Sequence, residues 1–140
     1  MPDILSIEEM VATENWNLAR EVISTSEDFS NERDLIENEF EVSMDNLGSI
    51  IDLPHDRFEN LKKRLLEIIK KRFISLEAEL YQQICIELDY CNAKKEKGWR
   101  ITEYIAAVFD ILLTGGATAL AILAIKTEYL DKLCGCKTEA

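Results

Sequence analysis

An all-α fold follows from three features of the chain. Helix breakers are scarce, with 2 prolines and 5 glycines in 140 residues. Leucine, isoleucine, glutamate and alanine abound, a composition that favours helix. Apolar residues recur every three or four positions through most of the length, which is the period of an amphipathic helix. The pattern predicts about four helices, with one long amphipathic helix at about 56–93 followed by a highly apolar helix at about 101–130. It divides the chain into an acidic helical domain (1–97), an apolar helix (98–133) and a flexible tail (134–140).

The first helix is expected over about 7–24. Ser6 and Glu9 form a capping-box pattern. Ile7, Met10, Val11, Leu18, Val22 and Ile23 then share one face, with Trp16 at its edge. The polar run Ser24-Thr25-Ser26-Glu27-Asp28 breaks it. A second helix begins near Ser30 and carries Leu35, Ile36, Phe40, Met44, Leu47 and Ile51 at helical spacing. Gly48 is its candidate C-terminal cap, and Pro54 ends the segment.

Asp56 is placed to cap the third helix. Its stripe runs from Leu61, Leu65, Ile68 and Ile69 through Phe73, Leu76 and Leu80 to Ile84 and Leu88. A straight helix to Ala93 would be on the order of 55 Å long. Lys94-Lys95-Glu96-Lys97-Gly98 reads as the linker, and Thr102 as the cap of the last helix.

Charge is unevenly placed. Residues 1–54 hold 14 acids and 2 bases, a net −12, whereas residues 55–104 hold 9 acids and 11 bases, a net +2. Such asymmetry predicts that the two segments face each other or face different partners. The overall charge of −11 repels phosphate and argues against a nucleic-acid partner.

Residues 104–125, YIAAVFDILLTGGATALAILAI, carry a single charge, Asp110. Their number meets the roughly 20 residues needed to cross a bilayer. Trp99 and Tyr104 flank one end and Tyr129 the other, as aromatic belts do. Lys94, Lys95, Lys97 and Arg100 would keep the N-terminal domain in the cytoplasm. The cost opposes this: a central carboxylate loses about 2.5–3.5 kcal/mol, while each large apolar residue returns about 0.3–0.6 kcal/mol. Gly115, Gly116, Thr114 and Thr118 reduce the gain further. A lone span is therefore marginal, and the helix needs company. In a membrane, Gly115 and Gly116 would offer a close-packing surface for self-association, with Asp110 a functional acid. In water, the same run would be a core helix that is apolar all round, wrapped by the first three helices, and the glycine pair could bend it into two.

The remaining constellations are weak. Cys134-Gly135-Cys136 supplies two thiols, too few for a tetrahedral zinc site. Cys85 and Cys91 lie six apart and would not share a face of one helix. A frayed tail with free thiols is expected for the first pair, and a reducing cytosol for the chain. MPDILSIEEM has neither the basic start nor the apolar run of a secretory signal. His55, between Asp52 and Asp56, has no nucleophile with a recognisable signature nearby. Glu37, Glu39, Glu41 and Asp45 form an acidic ladder without the histidines of a helical-bundle metal site. Lys62-Lys63-Arg64 and Lys70-Lys71-Arg72 would face either the acidic helices or an anionic lipid surface. No phosphate loop, nucleophile elbow or dinucleotide fingerprint occurs.

These readings predict no enzyme, no cofactor and no metal. They predict a small helical interaction or effector protein, anchored in or perturbing a membrane through residues 104–125. Its expected partners are a basic protein and copies of itself. The alternative is a soluble acidic bundle of the immunity, antitoxin or adaptor type, cytoplasmic and partner-binding.

Overall fold

The computed structural model describes residues 12–136, and these are helical with no strand among them. Helix α1 spans Asn15–Thr25 and presents Leu18, Ala19, Val22 and Ile23 to the core. A 3-10 turn, Glu27–Phe29, leads into α2, Ser30–Phe40. A short α3, Leu47–Ile51, is capped by the Asn46 side chain, which accepts from the Gly48 amide at 3.0 Å. The expected second helix is thus two, separated where Glu41 adopts a left-handed conformation. The expected first helix is present from Asn15, and its start at 7 and the Ser6–Glu9 box lie outside the described residues.

The long helix at 56–93 is corrected. Helix α4 spans His55–Ser75 and buries Leu61, Leu65, Ile69 and Phe73 at helical spacing. The path then breaks at Leu76, resumes as α5, Glu77–Leu80, and widens into a π-helical turn, Tyr81–Glu87. Asp89, with φ 55°, turns the chain into α6, Tyr90–Lys97. Neither glycine nor proline marks these breaks, so periodicity alone passed over them.

The apolar helix at 101–130 is also corrected. After a 3-10 turn at Gly98–Arg100, α7 covers Ile101–Leu112 and α8 covers Ala117–Lys126. A third piece, α9, covers Tyr129–Cys134. About four helices therefore become more, shorter ones. No helix among the described residues is long and apolar enough to cross a membrane, and residues 104–125 do not form the single continuous helix expected. A helix of 12 residues, such as α7, rises only about 18 Å, against a hydrocarbon core of about 30 Å.

Thr114, Gly115 and Gly116 make the break. Gly115 (φ +84°) and Gly116 (φ +72°) occupy left-handed backbone, which an L side chain enters only at a cost of about 1–2 kcal/mol. A Cβ on Gly115 would lie 3.2 Å from the Thr25 carbonyl oxygen. The turn is pinned from outside as well. Asp28 Oδ2 accepts from the Thr114 amide at 2.6 Å and from its hydroxyl at 2.7 Å. The Glu27 amide donates to the Thr114 carbonyl at 3.3 Å.

The hairpin so formed centres the fold on α8, where Ala119 to Ile125 are all buried. Helices α1, α7 and α9 pack directly on it. One apolar cluster runs from Leu18 through Phe73 and Phe109 to Leu130. Each fully buried leucine or isoleucine contributes about 1.5–3 kcal/mol of transfer free energy, which in this fold is gained from protein neighbours.

All four cysteines are paired. Cys85 in the π-helical turn joins Cys134 at the end of α9, and Cys91 in α6 joins Cys136. This corrects the expected free thiols. Cys85 and Cys91 fall on one side because the π-helical turn and the Asp89 kink between them reset the helical phase. Gly135, at φ +67°, turns Cys136 back to the same side. Lys94 reinforces the junction by an ion pair to Asp131 at 2.9 Å.

Candidate docking face

Helix α2 separates its carboxylates by side. Glu39 pairs with Arg64 at 3.1 Å and Glu32 approaches Arg72 at 3.9 Å, both across to α4. Arg72 also donates to the Asp28 carbonyl and Arg57 to the Glu39 carbonyl, each at 3.0 Å. The arginines of the basic segment thus hold the acidic segment, whereas Lys63, Lys70 and Lys71 remain exposed. Glu37, from the acidic ladder, is also used internally, accepting from the Met44 amide at 2.8 Å. Such bridges are partly exposed and contribute little individually; they fix how α2 lies on α4.

The outer side of α2 carries Asn31, Asp34 and Asn38, all exposed, whereas Leu35 lies at the groove where α2 meets Arg64, Ile68 and Lys71 of α4. Leu35 is 63% exposed. Glu41 and Asp45 follow in the connection, α3 then exposes Leu47 and Ile51, and Asp52 is exposed just beyond it. Ile51 is 52% exposed. Asp34, Glu41, Asp45 and Asp52 have no ion pair or side-chain hydrogen bond among the described residues. Unpaired carboxylates and exposed large apolar side chains thus share the segment from Asp34 to Asp52.

The sequence picked out the acidic ladder and the −12 segment as a surface for a basic partner, but it placed Leu35, Leu47 and Ile51 on the apolar stripe facing the core. Ile36, Phe40, Met44 and Ile50 are the residues that go inward. Leu35 adjoins Ile36, and Ile51 adjoins Ile50. A period count alone does not decide which member of such a pair is buried.

The other candidate residues lie apart from this face. Asp110 is exposed at the end of α7, in a shallow cleft with Glu21, Thr25 and Gly116. The close approach that Gly115 and Gly116 permit is made to Thr25 and Val22 of α1 in the same chain. His55 is exposed as the first residue of α4. Among the described residues, no group of three or more metal-ligating side chains comes together.

The shifted titrating groups are structural. Backbone and side-chain donors from Thr114, aided by Arg72, hold the Asp28 carboxyl below its ordinary 3.8. Burial, and then Asp131, raise the Tyr90 phenol well above its usual range. Burial lowers Lys126, whose ammonium donates to the Thr13 carbonyl.

No protein-family model, curated protein or solved structure matches the chain.

Proposed function

We propose that the protein is a helical partner-binding module that docks a basic protein through the outer face of α2 and the adjoining α3. The carrying observation is the run of unpaired carboxylates Asp34, Glu41, Asp45 and Asp52, with Leu35, Leu47 and Ile51 exposed along the same segment. The carboxylates would steer a basic partner and set its register, and the apolar side chains would anchor it once water is excluded. The rest of the fold supplies a rigid platform, with α2 clamped to α4 by arginines and the α7–α8 hairpin enclosed. The two disulfides favour an oxidising setting over the reducing cytosol.

Capture on immobilised full chain tests this. Wild type should retain a protein of high isoelectric point, released as salt rises from about 0.15 to 0.5 M because screening shortens the reach of charge. A D34K/D45K/D52K variant should lose it. Capture indifferent to both salt and the triple substitution would overturn the reading.

A further inference from the structure

A second region, on the opposite side of α4 from α2, has the chemistry of a ligand site. Leu66, Ile69 and Phe73 of α4, Leu123 of α8 and Tyr129 of α9 line a groove of about 430 Å³, with Leu66 and Tyr129 half-exposed and the other three buried. Ligand pockets run from about 300 to 1,000 Å³ and are mostly apolar with a few placed polar groups. Phe73 and Tyr129 stack at 4.9 Å, and the Tyr129 hydroxyl donates to the Phe73 carbonyl at 3.2 Å. That hydroxyl is thereby used, and the wall it belongs to presents a ring face.

The polar groups sit at the rim. Lys70 and Lys132 line the groove, are exposed, and make no ion pair or side-chain hydrogen bond among the described residues. Asn15 also lines it, and its side-chain oxygen is buried with no hydrogen-bond partner. A half-turn of that amide would exchange the orphaned acceptor for a donor. Two ammonium groups and an amide N–H around an apolar slot are matched by one group of ligands, those with a compact anion on an alkyl chain.

We propose that this groove binds a monomeric single-chain carboxylate amphiphile, its head between Lys70 and Lys132 and its tail against Leu66 and the Tyr129 ring. The carboxylate accepts from both lysines as charge-assisted hydrogen bonds. The tail takes the place of water on the half-exposed Leu66 and Tyr129. A basic protein docked on α2 does not serve this site, so the two readings stand or fall separately.

Dodecanoate, held below its micelle concentration and titrated calorimetrically into the full oxidised chain, tests the proposal. The expected result is saturable binding of one molecule per chain. K70E/K132E, at exposed positions where the fold should persist by circular dichroism, should weaken it at least tenfold. Leu66→Trp, which narrows the slot without touching a charge, should weaken it too, and neutral dodecanol should bind at least tenfold less tightly than dodecanoate. Equal binding of dodecanol, or no effect of K70E/K132E, would overturn the proposal. So would failure of the full chain to bind dodecanoate, whether its own residues 1–11, a second copy or only water fills the groove.

Discussion

Removing the Cys91–Cys136 bond alone should destabilise the protein by about 2–3 kcal/mol, and removing both disulfides by about 6–7 kcal/mol. The magnitudes follow from connectivity. Cys85–Cys134 spans a separation of 49 residues and Cys91–Cys136 one of 45. Closing a loop of that length restricts the unfolded chain by about 4 kcal/mol. Once one bond is present, the second closes only a small ring through 85–91 and 134–136, of about ten residues, for about 2.7 kcal/mol more. Either single removal therefore leaves the long loop closed and forfeits only the small ring. The double removal opens both and uses up much of a typical stability of about 5–15 kcal/mol. Urea unfolding of C85A/C134A, C91A/C136A and the quadruple variant measures this, with the slope checked for the expansion of the unfolded chain. Single losses as large as the double, or a double loss under about 2 kcal/mol, would refute the nested-loop reasoning.

Other outcomes follow from the hairpin and its turn. Ile122→Lys, at a fully buried site in α8, should abolish cooperative folding, because an unpaired charge would enter the core. Ile111→Lys, in the same apolar run but 82% exposed, should change stability by no more than about 0.5 kcal/mol; thermal melts compare the two. Gly115→Ala should cost more than about 1 kcal/mol, from left-handed strain together with its approach to the Thr25 carbonyl. Asp28→Asn should cost about 1 kcal/mol at pH 7, since the exposed setting reduces what two charge-assisted bonds to Thr114 are worth. Because the folded carboxyl titrates below 3.8, its contribution is present above that pH and is lost as pH falls through the folded value. Wild type should therefore lose stability more steeply than D28N below pH 3.8.

Composition and period made the helical class legible, along with the inner faces of α1 and α4. Residues 119–125 read as either a bundle core or part of a membrane span, and the glycine pair marks the place where the run bends. The sequence left the outcome open because a membrane span and an all-round buried helix satisfy the same hydropathy. What separates them here is a turn held by Asp28, 86 residues away. The disulfides were illegible for a related reason. Six-residue spacing puts two cysteines on different sides of a regular helix, and only the π-helical turn and the left-handed Asp89 bring them round. On α2, the acidic character of the docking face was visible, but Leu35 and Ile36 are neighbours of equal hydrophobicity, and packing alone sends one in and one out.

Photocrosslinking from single positions in the full chain, in the cells that make it, tests the docking claim most directly. A benzophenone side chain at position 35 or 51 should join the chain to one basic protein, and the adduct should vanish in the D34K/D45K/D52K background. The same probe at position 111, exposed on α7, should give no such adduct. Crosslinks that arise from 111 and not from 35 or 51, or that survive the charge reversal, would contradict the account.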